Sequence, residues 1–139
     1  MAGTDQLELV RAACGQLVGA ADGALEWKWD GRLGTATAAF GADLHAAVRA
    51  TLDACFERCW SSTEIGAASA RVTAVAAKLG GLRGGQLLWV ASPDAPVMLF
   101  CAWWPWGGGA RVSIRVGYDA DGADDTASAR PDLESWFDL

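Results

Sequence analysis

Residues 96–118, PVMLFCAWWPWGGGARVSIRVGY, predict two strands joined by a turn at residues 105–109, and the rest of the sheet is built around this pair. The first strand is apolar at successive positions, which predicts a central strand covered on both sides or buried at an interface. The second alternates between apolar and polar positions, which predicts a half-buried strand. Its apolar face has Val112, Ile114, Val116 and Tyr118, and its other face has Arg111, Ser113, Arg115 and Gly117.

Three further strands are predicted upstream of this pair. QLLWVA, residues 86–91, precedes the turn signal SPDAP. In GALEWKWDGRL, residues 23–33, Leu25, Trp27 and Trp29 alternate with charged residues, as in a half-buried strand. Asp30-Gly31 predicts a two-residue hairpin turn with positive φ angles, followed by a return strand over about residues 32–37.

Helical spacing of apolar residues predicts the helices. The first covers residues 4–18 and ends at Gly19; its apolar face has Leu7, Val10, Cys14 and Leu17, widened by Leu9, Ala13 and Val18. A second stripe continues from Asp43 to Cys59, and a third from Ile65 to Leu79, after the capping-box pattern of Ser61 and Glu64. These are two helices or one helix kinked near Ser61, although ARVTAV, residues 70–75, is also compatible with a strand.

We therefore predict an α+β fold with an antiparallel five-stranded sheet, packed with helices in the order α-β-β-α-α-β-β-β. Residues 1–118 form the single domain, and residues 119–139 a flexible acidic linker with an aromatic C-terminal segment. The first 118 residues contain ten acidic residues and ten Lys or Arg, so residues 119–139, with seven acids and Arg130, carry the whole net charge of −6.

Charge and composition argue against several function classes. A domain without a basic face is not expected to bind nucleic acid, and its acidic end would be repelled by an acidic membrane. No apolar run reaches the ~18 residues of a membrane span, and the N-terminus lacks a signal-peptide pattern, so we expect a cytoplasmic protein. The four cysteines lack a second pair at ligand spacing, so we expect buried free thiols, with neither metal nor cofactor.

No pattern for catalysis is present. His45, the one histidine, has no local nucleophile or acid and is expected on a helix surface. The clusters GGLRGG and WGGGAR precede strands instead of opening helices, so they are expected to be turns and not phosphate loops. The sequence favours a binding protein over an enzyme, and no catalytic residue is assigned.

Tryptophan is the strongest functional signal, with eight in 139 residues. Trp103 and Trp104 are consecutive on a strand and must point to opposite faces, and Trp106 is expected in the turn and exposed. Filling the core beneath the helices is the favoured interpretation of the tryptophans, since a packed Trp buries ~150–250 Å². Candidate partner-binding residues are Trp103, Trp104 and Trp106; an alternative ligand pocket would be lined by Trp27, Trp29 and Trp89, together with Trp103.

The C-terminal segment PDLESWFDL, residues 131–139, has two interpretations. Its aromatic and aliphatic side chains could pack on the protein's own sheet, or they could dock as a short helix in a groove of another protein. The second interpretation adds Leu133, Trp136, Phe137 and Leu139 to the candidate partner-binding residues.

In the order of its elements the chain resembles the roadblock dynein-light-chain/longin-like group over residues 4–118. The resemblance lies in the topology and in the first hairpin, ADGALEWKWDGRL, with Gly23-Ala24 and Asp30-Gly31. It implies a non-catalytic module that dimerises through its second helix and third strand and regulates small GTPases or motors. We therefore expect a protein-interaction module, an adaptor or regulatory subunit, acting as a homodimer or in a larger complex. The alternative is a small-ligand binding or sensor domain.

Overall fold

A computed structural model describes the backbone of residues 2–120, 130–137 and 139, and the side chains of residues 8–120, 132–137 and 139. These residues form an α+β fold with one open antiparallel sheet in the strand order β1-β2-β6-β5-β4-β3. The strands are β1 (Lys28–Asp30), β2 (Thr35–Gly41), β3 (Arg58–Ser61), β4 (Leu87–Ala91), β5 (Val97–Trp106) and β6 (Arg111–Ala120). The helices are α1 (Ala2–Val18), α2 (Ala20–Gly23), α3 (His45–Cys55), α4 (Ala70–Lys78) and α5 (Arg130–Trp136).

β5 is buried on both sides of the sheet from Val97 to Trp103, which confirms the prediction of a central strand. Its residues Leu99, Cys101 and Trp103 belong to the core formed with α1, α3 and α5. The alternate residues Met98, Phe100 and Ala102 belong to a second core under α4. We call these two faces of the sheet the α1 side and the α4 side.

The α4 side is only partly covered. Val72, Val75, Ala76 and Leu79 of α4 pack on residues of β4 and β5, and Leu33 from the β1–β2 loop joins this cluster. On β6 and β2 the same side of the sheet presents Ser113, Arg115, Thr37 and Ala39, and none of these belongs to either core cluster. Half of the sheet is therefore a two-sided sandwich, and half has helices on one side.

The prediction of five strands is wrong by one, because residues 58–61 form β3 instead of continuing a helix. α3 ends at Cys55, and Phe56 already has extended backbone angles of −118° and 149°. β3 then pairs antiparallel with β4, with Cys59 opposite Trp89. The apolar spacing of Cys59 is compatible with either structure, and pairing with β4 decides it.

The predicted helix after Ser61 begins later than expected. The Glu64 carboxylate accepts hydrogen bonds from the Ser61 N–H at 3.3 Å and from the Ser61 hydroxyl at 3.0 Å, but this contact closes a turn after β3. α4 begins at Ala70, where the Ser69 hydroxyl caps the helix by accepting from the Val72 N–H. ARVTAV is helical, so the competing strand interpretation is wrong.

The predicted two-residue hairpin turn is also wrong. Asp30 pairs with Thr35, so four residues connect β1 to β2. The Asp30 carboxylate accepts from the N–H groups of Arg32 at 2.9 Å and Leu33 at 3.3 Å, and the positive φ angle falls on Gly34, at 67°. This Asx-type loop is longer than the Asp-Gly signal suggested, and it carries Leu33 to the core under α4.

Two details of the ends of elements differ from expectation. β5 continues through Pro105 and Trp106, and the turn consists of Gly107–Gly109 and Ala110, with positive φ angles at all three glycines. In α1, Val10, Cys14 and Leu17 are buried as predicted, but Leu9 is 71% exposed.

The side chain of Leu7 and the acidic residues 121–129 lie outside the described residues. Among the described helices none is both long and apolar enough to cross a membrane.

Gly117 is required because the ring of Phe100, its partner on β5, lies directly over it. A Cβ atom added at Gly117 would stand 2.5 Å from Cζ of Phe100 and 3.1 Å from its two Cε atoms. The missing side chain lets the aromatic ring extend the core under α4 across β6.

We expect Gly117→Ala to lower the free energy of unfolding by about 1–3 kcal/mol, as for overpacked cores. Urea denaturation followed by circular dichroism measures this. Gly15→Ala is the matched control, since nothing lies within 4 Å of a Cβ there and alanine favours the helix. Equal stabilities of the two variants would contradict the proposed clash.

Arg71, in the first turn of α4, joins three segments that are distant in the sequence. Its Nε lies 2.7 Å from the Asp119 carboxylate, and its Nη2 donates to the Asp119 carbonyl at 2.7 Å. Its remaining bonds go to carbonyls of the β4–β5 turn, those of Pro93, Ala95 and Pro96. One guanidinium thus holds α4, this turn and the end of β6 together.

We expect Arg71→Lys to destabilise the protein by about 2 kcal/mol, because an ammonium keeps the charge but cannot serve a planar set of five acceptors. Arg83→Lys, at an exposed position whose side chain makes no described ion pair, is the control and should be neutral. Thermal unfolding of both variants checks the difference. An unchanged midpoint for Arg71→Lys would mean that its network contributes nothing to stability.

Candidate functional site

The most distinctive surface is the uncovered half of the α4 side, which we call the open sheet face. It consists of side chains from three neighbouring strands, with Trp104 and Trp106 along its margin: Lys28 on β1, Thr37 and Ala39 on β2, and Arg111, Ser113 and Arg115 on β6. A groove of about 320 Å³ lies over it, and Glu26 also lines this groove.

The strand register places these residues in rows. Lys28, Thr37 and Arg115 form one row across the three strands. In the next row Ala39 is opposite Ser113, which is opposite Trp104; in the third, Gly41 is opposite Arg111, which is opposite Trp106. Small side chains therefore form the floor of the groove, and long cationic or aromatic side chains surround it.

Each arginine of the open sheet face is stacked on a tryptophan. The guanidinium carbon of Arg115 is 4.6 Å from the centroid of the Trp104 ring, and that of Arg111 is 5.4 Å from the Trp106 ring. Trp106 is 49% exposed, and its Nε1–H donates to the Ser113 hydroxyl at 3.0 Å. Stacking and this hydrogen bond fix the orientation of an exposed aromatic ring.

The cations of this face differ in their partners. Arg115 is largely buried and forms an ion pair with Asp30. Partial burial opposes ionisation of Asp30, but the N–H groups of Leu33 and Arg32 and the Arg115 guanidinium outweigh it and lower the pKa of that carboxyl. Arg111 and Lys28 are exposed and form no ion pair with any residue whose side chain is described.

The other predicted tryptophans do not lie together. Trp103 and Trp89 are 5% and 1% exposed, with ring centroids 5.8 Å apart on the α1 side. Trp29 is on β1, and β2, β6 and β5 separate it from Trp89 on β4. Trp27 packs instead on Phe137, with centroids 4.5 Å apart. The three residues predicted for a ligand pocket thus belong to two different regions of one core.

The C-terminal segment packs on its own sheet. Leu133 is fully buried and Phe137 is 3% exposed, both in the core of the α1 side. The Tyr118 hydroxyl donates to the Asp132 carboxylate at 2.7 Å, and Trp136 lies 6.1 Å from the Tyr118 ring. Of the predicted partner-binding set, four residues reach solvent, Trp104, Trp106, Trp136 and Leu139.

We expect Leu133→Ala to cost about 2–5 kcal/mol of unfolding free energy, the range for deleting a buried leucine. Leu139→Ala, at a position that is 41% exposed, is the control and should change stability little. Differential scanning calorimetry of the full chain measures both. If the two variants unfold alike, the segment is not part of the core.

His45 and the four cysteines lie in or against the core of the α1 side. His45, expected on a helix surface, is half-buried, with its ring edge-on to Phe40 and Trp103. Burial raises the pKa of Cys14 to about 12 and that of Cys59 to about 11, so neither thiol is activated as a nucleophile. Within the described side chains no three His, Cys, Asp or Glu residues are placed to hold a metal ion.

Sequence reasoning missed the arginine–tryptophan pairs. A signal was available, because Trp106 and Arg111 stand directly before and after the four-residue turn and must therefore be opposite each other. A third arginine, Arg49 on α3, lies 5.5 Å from both the Trp89 and Trp103 rings, and Asp53 accepts from the Trp89 Nε1–H at 3.0 Å. No local pattern in the sequence indicates this second set of contacts.

No family model matches the chain, and neither a curated protein nor a solved structure shows significant similarity to it.

Proposed function

We propose that this chain is a non-catalytic protein-interaction module, an adaptor or regulatory subunit, and that the open sheet face binds its partner. The observation that carries the proposal is the half-covered α4 side, where an exposed Trp106 and the exposed Arg111 stand beside a groove. Tryptophan and arginine are the residues most enriched among the strongest contacts of protein interfaces.

We also propose an assembly and a location for the chain. The resemblance to roadblock/longin-like modules suggests regulation of a small GTPase or motor, and dimerisation through the predicted second helix and third strand, which correspond to α3 and β4. In the described sheet β4 lies between β5 and the edge strand β3. Four free cysteines suit a reducing compartment such as the cytosol.

The alternative of a small-ligand sensor has less support. Trp27, Trp29 and Trp89 do not line the groove over the open sheet face, whose lining is mainly polar and charged. Two further grooves, one of about 210 Å³ beside Leu9, Val10 and Cys55 and a wider one of about 620 Å³ between α1, α2 and α3, are lined by none of these tryptophans.

The test is a quantitative affinity purification from native lysate with Trp106→Ser. Partners that bind through the open sheet face should be recovered at least ~10-fold less than with the unmodified chain, as expected for a central aromatic contact. Leu9→Ser is the matched control, since Leu9 is the most exposed large apolar residue described and lies on α1, on the other side of the sheet.

Unfolding midpoints of both variants show whether they remain folded. If Trp106→Ser and Leu9→Ser recover the same partners in the same amounts, the open sheet face is not the binding surface.

A further inference from the structure

We propose that the open sheet face holds an anionic side chain of a partner protein, a carboxylate or a phosphorylated serine or threonine. The anion lies over Ser113, between Arg111 and Arg115, and an apolar neighbour in the same partner segment packs on Trp106. This inference rests on the proposed function and specifies the chemistry of the partner.

Two cationic side chains of the open sheet face form no ion pair with a described residue. Arg111 and Lys28 have no counter-ion among the described side chains, while Asp30 neutralises Arg115. The guanidinium carbon of Arg111 lies 5.4 Å from the Trp106 ring centroid, and no described acceptor takes the guanidinium N–H groups, which are therefore available to oxygen acceptors. A carboxylate or phosphate matches this planar donor set in two parallel hydrogen bonds.

The hydroxyl of Ser113 supplies a directed donor. It already accepts a hydrogen bond from the Trp106 Nε1–H at 3.0 Å, and no described acceptor takes its own proton. A hydroxyl that accepts from one neighbour can donate to another, so Ser113 can give its proton to an anion above the sheet. Exposed Trp106 therefore contributes twice, as an apolar platform and through the orientation of Ser113.

The spacing of Arg111, Ser113 and Arg115 along β6 suits the binding of a single anionic side chain. Arg111 and Arg115 are four residues apart on β6, about 13 Å between Cα atoms, and Ser113 is midway. Ala39, beside Ser113, leaves room above the floor, and the groove volume of about 320 Å³ accommodates a few side chains. An anion over Ser113 is about 7 Å along the strand from each arginine Cα, within the reach of both side chains.

The local charge also limits what can bind. Glu26 lines the same groove and Asp30 is paired at its edge, so only one or two positive charges are free. Nucleic-acid binding of useful strength at physiological salt uses many phosphate contacts, typically six to ten. One anionic side chain beside an apolar residue therefore fits better than a phosphate backbone.

The probes are four blocked peptides, acetyl-Gly-Leu-X-Leu-X-Gly-amide, in which X is Glu, phosphoserine, Gln or Lys. Titration into the ¹⁵N-labelled full chain is followed through the indole N–H signals, with that of Trp106 assigned from Trp106→Phe. The Glu or the phosphoserine peptide should shift the Trp106 signal and bind at least ~10-fold more tightly than the Gln peptide. Added salt should weaken this binding.

Variants test the two donors. Arg111→Gln and Ser113→Ala should each weaken binding of the anionic peptide at least ~5-fold. Arg11→Gln is the control, because Arg11 is also an exposed arginine, lies on α1 and contacts Glu8. Equal binding by Arg111→Gln and Arg11→Gln would overturn the proposal, as would equal affinities for the Glu, phosphoserine, Gln and Lys peptides or no binding of any of them.

Two further probes separate other sources of anionic groups. If inorganic phosphate binds as tightly as the phosphoserine peptide, the groove is a site for small anions, and the proposal of a partner segment is wrong. A ten-residue deoxythymidine oligonucleotide that binds more tightly than every peptide would overturn it in favour of nucleic acid. If the peptides fail while Trp106→Ser still loses partners, the inference fails and the proposed function stands. If the peptides bind while Trp106→Ser keeps every partner, the proposed function fails, and the inference about a partner segment fails with it.

Discussion

β5 has no polar side from Val97 to Trp103, and both of its faces must be kept from water for the chain to fold. β4 and β6 satisfy the backbone on either edge of the strand, α1, α3 and α5 cover one face, and α4 covers the other. α4 has nine residues, so it is about 13 Å long and, at ~10 Å diameter, spans about two strands. The half-covered sheet follows from this short helix.

The boundary between the covered and open halves lies within β6. At Gly117 the strand has no side chain, and the ring of Phe100 crosses it, so the apolar core extends over this position. Two residues earlier, Arg115 stacks on Trp104 and pairs with Asp30, which ends the core with a polar contact. The surface of β6 therefore changes from covered to open between Gly117, which has no side chain, and Arg115, which is charged.

The parts of the fold that depend on local periodicity could be predicted from the sequence, and those that depend on pairing could not. The alternation of β6 and the apolar β5 are visible in any window of ten residues. β3 was missed because Cys59 fits both a helical stripe and a strand, and only β4 decides between them. The contacts of Arg49 with Trp89, of Arg71 with Pro93 and of Arg115 with Asp30 join residues at least 22 positions apart, so no nearby residue indicates them.

In the candidate site, too, some features could be predicted from nearby residues, and others depend on pairing between distant segments. Exposure of Trp106 could be predicted from its position near the glycines, whereas its contact with Ser113 depends on the register of the hairpin. The burial of Leu133 and Phe137 could not be chosen from sequence, since an amphipathic segment hides the same residues on its own sheet or on another protein.

The contacts between Arg71 and Asp119 can form only late in the synthesis of the chain. Asp119 supplies the carboxylate and one of the carbonyl oxygens that accept hydrogen bonds from Arg71. It leaves the ribosome 48 residues after Arg71. Until then α4 lacks the bond that fixes it to the far end of the sheet, and the growing chain exposes the apolar residues of β4 and β5. A fragment that stops at residue 118, where the composition changes, lacks Asp119 and therefore lacks this bond. The acidic segment that follows residue 118 thus begins with the residue that fixes α4 to the end of β6.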